Sequence, residues 1–315
     1  MELLLYGALL VSQVGTATKQ YAMKRCGALA PGPFNSICIN FARSLICLAV
    51  SLIIFLIADG TGTTGLGVAI SLTAGLGTAF NLFSWILCSQ RVSMTLIEGV
   101  STIGTLIVPL FLAPYLYGGE VVTPLQWVGT VLVFISVFLF AKKGGGSKKS
   151  DGGKKTMVSS ALLLLLCAGS AMVANIGKKL YSFYVTAKGL GGAEIYTVMN
   201  FCSVLLVFVV LFAIYYQLQR RKTAADAPEG ERARVVLPYR RVWHFILLAA
   251  AALYTFELFA TYAARLPSAV YYPISRAIAI LGTFLLDVLV FKEKVTPKKL
   301  AGLVLLIGAV VLINL

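Results

Sequence analysis

The stretch EKVTPKKLAG, Glu293–Gly302, nearly repeats EVVTPLQWVG, Glu120–Gly129. Five of the ten aligned positions are identical, and the two copies begin 173 residues apart. Each copy leads into a long apolar run. The shared residues have a local physical meaning. Glu suits the positive end of a helix, Thr is a good N-cap, and Pro fits the first helical turn. The Gly that follows, Gly129 or Gly302, lets a neighbouring helix come close. The phrase is thus a helix-start signal. Its recurrence is what bears on the fold.

Composition sets the environment of those helices. The chain has 315 residues, 59% of them apolar and 12% charged, with a mean hydropathy of +0.89. A soluble domain is about 45–50% apolar and about 25% charged. Crossing a bilayer takes about 20 mostly apolar residues. Ten runs answer to that description: 3–21, 34–58, 66–88, 94–117, 123–141, 158–185, 193–217, 242–264, 268–290 and 298–315. The sequence predicts an all-α integral membrane protein with ten transmembrane helices. Almost nothing remains for a soluble catalytic domain, and no enzymatic activity is expected.

Between runs five and six lies KKGGGSKKSDGGKK, Lys142–Lys155, a composition that cannot pack and reads as a flexible linker. It divides the chain into a five-helix repeat over 1–141, a linker over 142–157 and a second five-helix repeat over 158–315. Weaker pairs agree with the duplication. Asn40-Phe41 matches Asn200-Phe201 at an offset of 160, and Asn81-Leu82-Phe83 matches Glu257-Leu258-Phe259 at an offset of 176. Lys19 falls opposite Lys178, each near the end of its run. Five is an odd number, so the second unit enters the membrane from the opposite side. Inverted repeats of this kind are a common plan for secondary transporters.

The formal charge of +15 reports orientation, with no need of a nucleic acid. Connections one, three, five, seven and nine, counted with the Lys298-Lys299 pair that opens run ten, carry twenty Lys and Arg, and the even-numbered ones carry two, Lys188 and Arg265. Lys and Arg collect in short cytoplasmic loops. The odd connections are therefore expected inside, in contact with anionic lipid, and both chain termini outside. The opening MELLLYG has no basic n-region and is expected to be retained. Six cysteines are scattered without a C-x-x-C pair and read as small core residues. One histidine, His244, makes no metal site, and GGGSKKS lacks the strand that a phosphate-binding loop requires. No cofactor, metal or ATP-driven chemistry is expected.

Two five-helix repeats with E-x-V-T-P-x-x-x-x-G leading into the last helix resemble the drug/metabolite transporter superfamily, in particular its EamA-like branch. The ending GLVLLIGAVVLINL, Gly302–Leu315, is similar to the last helix of small four-helix multidrug exporters of that superfamily. The resemblance implies a multi-pass transporter of a bacterial cytoplasmic membrane. Its cavity would lie between the halves, lined by runs one to four and six to nine, with runs five and ten as peripheral scaffold. Many members have cytoplasmic termini. The charge pattern here places both outside, so a direction of transport does not carry over.

Polar residues within the runs are the candidate site. Helices in lipid hide such side chains or put them to use. Arg43 lies about 13 Å into run two and Arg276 about 12 Å into run nine, too deep to snorkel easily. Either could hold a carboxylate or phosphate, since guanidinium is a forked, always-charged donor. Glu257, deep in run eight, is a candidate proton-coupling acid, and so is the shallower Glu98. Tyr272 shares a face with Arg276 just around Pro273, where a kinked helix would free a carbonyl. Asn81 and Trp85 share a face of run three, and Tyr254 and Glu257 share one of run eight. The competing reading makes Arg and Glu internal ion pairs, chiefly Arg276 with Glu257, that only hold helices together. The expected function is secondary active transport of a small polar metabolite, such as an amino acid or organic anion, by alternating access with proton coupling or exchange. A multidrug or cation exporter and a flippase of a lipid or lipid-linked sugar are alternatives. No obligate protein partner is evident.

Overall fold

In the computed structural model, which describes residues 2–58, 62–92, 94–119, 121–141, 153–225, 239–292 and 295–314, every regular element is a helix. The order is α1 (Glu2–Leu29), α2 (Pro33–Ile57), α3 (Gly65–Ser89), α4 (Met94–Thr102), α5 (Val108–Leu116), α6 (Pro124–Ala141), α7 (Gly153–Tyr184), α8 (Ala193–Ala225), α9 (Tyr239–Ala263), α10 (Ser268–Leu285) and α11 (Pro297–Asn314). A π-helical turn, Ile103–Ile107, joins α4 to α5, and a second, Leu286–Val290, extends α10. The first precedes Pro109, which has no N–H to give the preceding turn, so the ladder widens there. Seven helical segments are long and apolar enough to cross a membrane, and shorter apolar stretches lie in α6 and α11. The chain is a multi-pass helical membrane protein.

The helix starts follow from local chemistry. Thr64 caps α3 by accepting from Gly67 N at 3.1 Å. In the first copy of the repeated phrase Thr123 and Gln126 form a capping box. Thr123 Oγ1 accepts from Gln126 N at 3.3 Å, and Gln126 Oε1 accepts from Thr123 N at 3.0 Å. In both copies the Thr carbonyl takes the first helical bond, from Trp127 N and from Leu300 N, each at 3.1 Å. Val-Thr-Pro is a helix start at both places, as its chemistry predicts. Glu120 and Glu293 lie outside the described residues, as do most of the linker, 142–152, and residues 226–238.

Several boundaries move outward from those read in the sequence. Charged residues had marked the ends of the runs, yet α1 continues past Lys24 and Arg25, and α8 past Arg220 and Arg221. Helix α7 begins at Gly153, inside the expected linker. A helix satisfies its own backbone, so it can run on beyond the apolar stretch into the interfacial region, where charge is cheap.

Packing is inverted relative to a soluble protein. Leu52, Leu56, Leu165, Leu206, Val304 and Ile307 point outward, whereas Arg43, Lys178, Lys179, Glu257 and Asp287 are buried. The apolar effect does not draw helices together in lipid; small residues and polar contacts do. A Cβ on Gly75 would meet Asn200 O at 2.6 Å, and one on Gly77 would meet Ala174 N at 2.7 Å. These glycines seat α3 against α8 and α7. On the other side, a Cβ on Gly15 of α1 would meet Ala252 O of α9 at 2.9 Å.

The helix pairings have a pattern. α1 packs on α9 and α3 on α7; α2 meets α9 and α3 meets α8; α1 meets α10 and α4 meets α7; α2 packs on α8 and α6 on α11. Exchanging α1, α2, α3, α4 and α6 with α7, α8, α9, α10 and α11 returns the same set of pairs.

Candidate functional site: a charged cavity at mid-length

Where α1, α3 and α4 meet α7, α9 and α10 there is a cavity of about 50 Å³. Its walls carry five ionisable side chains: Lys19, Glu98, Lys178, Glu257 and Arg276. Thr16, Thr78, Asn81, Ser101 and Asn175 supply the neutral polar surface, and Phe256 a ring. That volume holds a few water-sized molecules and no metabolite.

The charges are arranged in specific pairs. Lys178 Nζ lies 2.8 Å from Glu257 Oε2, with the two side chains 2% and 4% exposed. Arg276 Nη1 lies 3.7 Å from Glu98 Oε2, and Gln20 Nε2 also donates to Glu98. The pairing thus differs from the one anticipated. Glu257 belongs to Lys178 on α7, and Arg276 belongs to Glu98 on α4. The Arg276–Glu98 contact crosses from one half of the chain to the other, whereas Lys178–Glu257 joins two helices of the second half. The ammonium groups of Lys19 and Lys178 lie 4.5 and 4.2 Å from the Phe256 ring centroid, within cation–π range.

Of the residues singled out from sequence, Asn81, Glu98, Glu257 and Arg276 line this cavity. Asn81 Nδ2 donates to Cys167 O of α7 at 3.0 Å. The other four stand one layer back. Arg43, 1% exposed, donates to Asn40 Oδ1 one turn earlier in α2, which does not reach the cavity. Trp85 packs with Ala22, Met23 and Cys26 of α1, one turn beyond Asn81. Tyr254 sits in the apolar cluster around Cys47, Ala79 and Phe201. Tyr272 bonds Tyr117 Oη at 3.0 Å, on the side of the cavity towards the α9–α10 connection. Helix α10 also continues unbroken through Pro273. Pro273 stands in the second turn, so the only carbonyl it leaves unserved belongs to Ala269, near the helix start.

Lys19, Lys178, Thr16, Thr78, Ser101 and Asn175 were not assigned to the site from sequence. Lys19 and Lys178 had been placed near helix ends because the apolar runs stop soon after them. Their matched positions in the two halves were the available signal. No group of three His, Cys, Asp or Glu able to hold a metal occurs among the described residues.

Polar contacts bridge the helices on both sides of the cavity. Towards the ends of α5, α7 and α9, Tyr117 meets Tyr272, Lys179 Nζ donates to Leu266 O, and Tyr184 Oη donates to Leu116 O at 2.9 Å. Towards the end of α1, Lys24 Nζ pairs with Asp287 Oδ1 at 3.1 Å and lies 3.9 Å from the Phe291 ring centroid.

No family model and no curated protein matches the chain. Among solved structures, one described only as "Crystal structure of protein" superposes with a TM-score of 0.63 over 98% of each chain, at 15% identity. That likeness is one of fold, over the full length.

Proposed function

We propose that this chain is a secondary active transporter that carries a small polar metabolite by alternating access. The observation that carries the proposal is the charged cavity at mid-length, whose lining comes from the corresponding helices of both halves: α1 with α7, α3 with α9, α4 with α10. Ten spans in two inverted five-helix repeats, on the plan of the EamA-like drug/metabolite transporters, account for that correspondence and for the exchange-symmetric helix pairs. Polar closures on either side of a small cavity suit an occluded state. Releasing the Tyr117–Tyr272 side opens one path, and releasing the Lys24–Asp287 side opens the other. The charge asymmetry of the loops supports an inner-membrane orientation with both termini outside.

Glu257 and Glu98 are the candidate coupling acids, because each lines the cavity and ends an ion pair between two helices of its wall, Glu98 to Arg276 across the two halves and Glu257 to Lys178 within the second. A proton on either carboxylate would dissolve its pair and loosen that contact. The test is flux by the purified protein in liposomes, with and without a pH gradient. Saturable uptake or efflux of an amino acid or organic anion supports transport. No movement of any amino acid, organic acid or cationic compound refutes it.

A further inference from the structure

We infer that the cavity selects a small organic anion whose carboxylate is received by Lys19, in preference to a zwitterion or a cation. The inference rests on the reading of this cavity as the substrate site. The lining holds three cations, Lys19, Lys178 and Arg276, against two carboxylates, Glu98 and Glu257, a formal excess of one positive charge. Two of the cations are matched: Lys178 by Glu257 at 2.8 Å and Arg276 by Glu98 at 3.7 Å. Lys19 is not. Among the described residues no carboxylate lies within ion-pair distance of its ammonium; Glu257 and Glu98 act on it only from further off, and the Phe256 ring lies 4.5 Å away. That ring also faces Lys178.

A second observation points the same way. Arg276 is 7% exposed, lines the cavity, and its Nε has no hydrogen-bond partner. Behind the lining, buried Arg43 donates to Asn40, has no acid within ion-pair distance among the described residues, and adds to the positive potential. A net positive charge in a low-dielectric site is costly, and an entering carboxylate offsets it. A zwitterion brings no net charge and leaves the excess in place. A cation adds to it.

The neutral residues indicate what the rest of the ligand carries. Asn81 and Asn175 spend their amide N–H groups on backbone carbonyls of α7, Cys167 O at 3.0 Å and Ala171 O at 2.7 Å. Their Oδ1 atoms remain as acceptors, suited to hydroxyl donors. A hydroxylated monocarboxylate satisfies both the charge and the acceptors.

The test uses the full chain in lipid nanodiscs and four ligands of nearly equal shape: lactate (anion), alanine (zwitterion), propane-1,2-diol (neutral) and 1-aminopropan-2-ol (cation). Thermal stability and calorimetric binding are read for each, with glycerate as a second anion. The expected result is concentration-dependent stabilisation by lactate or glycerate and none by the other three. Lys19→Met should weaken anion binding by about tenfold or more, and Lys19→Arg should keep most of it. Equal binding of alanine or the amine, no stabilisation by either carboxylate at any attainable concentration, or unchanged lactate binding in Lys19→Met overturns the inference. If Lys19→Met does not fold, selectivity among the four ligands on the wild-type chain decides. Binding is measured without flux, so the two readings separate. Anion binding without liposome transport refutes the transporter and leaves the anion site. Transport of neutral or cationic compounds that is indifferent to Lys19→Met refutes the anion site and leaves the transporter.

Discussion

Consider Glu257→Gln. The substitution keeps the shape of the side chain and removes its charge, which leaves the ammonium of Lys178 buried at 2% exposure beside an amide. The Phe256 ring 4.2 Å away compensates only part of the loss. Breaking one partner of a buried ion pair costs about 3–5 kcal/mol, because the remaining charge is stranded. Lys178→Met should cost a similar amount, with Glu257 as the stranded charge. The double variant strands neither, and replacing both ions with groups of similar volume is often close to neutral. Its loss should therefore be well below the sum of the two singles, by about 3 kcal/mol or more on the same reasoning. Unfolding of the four proteins in one detergent, followed by a thiol-reactive dye, gives the cycle. The dye is apt because Cys26, Cys38, Cys47, Cys88 and Cys167 are buried and become reactive on unfolding. The Arg276–Glu98 pair gives an internal comparison. Its contact is 3.7 Å and Gln20 shares the carboxylate, so its coupling should be the smaller of the two. Additive losses at Lys178 and Glu257, or the larger coupling at Arg276–Glu98, would falsify the pairing described here.

Glycine substitutions should separate contact from composition. Gly75→Ala puts a Cβ 2.6 Å from Asn200 O and should destabilise the protein by about 1–3 kcal/mol, whereas Gly7→Ala meets nothing within 4 Å and should be neutral or slightly stabilising in the same unfolding assay. Tyr272→Phe removes the hydroxyl that joins Tyr117, so a cysteine introduced at Ser101 in the cavity lining should react faster with a thiol reagent added on that side of the membrane. For orientation, Ser150→Cys should resist an impermeant reagent on intact cells and Leu3→Cys should react, both in a chain without the exposed Cys202. The reverse labelling would turn the molecule over in the membrane.

How much of this was legible in the sequence depends on which physical signal each feature leaves. Helices in lipid are legible because a bilayer demands long apolar runs, and the helix starts at Thr123 and Thr296 are legible because capping is local. The depth of Lys19 was not. The first apolar run was closed at residue 21, which set Lys19 near an interface, but α1 runs on to Leu29 and carries Lys19 to the level of Glu98 and Arg276. Lys178 was hidden differently: run six ends where α7 does, and Lys178, six residues before the end of this 32-residue helix, is buried at the cavity because α9 and α10 cover that end. Partner choice was hidden for a different reason. Glu257 and Arg276 are close in sequence and on adjacent helices, which makes their pairing the obvious guess. The pairs that form, Lys178–Glu257 and Glu98–Arg276, depend on α7 meeting α9 within the second half and α4 meeting α10 across the halves, and no single helix records that.

Face-sharing within one helix misled in a related way. Residues four apart are turned by about 40° and stand about 6 Å apart along the axis. In a wide apolar core that shift is immaterial. At the edge of a cavity of about 50 Å³ it is decisive: Thr78 and Leu82, four apart, both line the space, but the next step along the face leaves it. Asn81 therefore reaches the cavity and Trp85 packs on α1, and Arg276 lines it while Tyr272 closes the layer beyond. The same geometry gives the two layers different work. Residues in the cavity layer carry charge and sit where a substrate would be held. Residues one turn away, Tyr272 with Tyr117 on one side, bond across the halves and bear on whether the cavity is open. A substitution in the first layer should change affinity, and one in the second should change access. Tyr272→Phe with unaltered ligand affinity but faster exchange of bound ligand is the outcome that this division requires, and a loss of affinity equal to that of Lys19→Met would place Tyr272 in the binding layer after all.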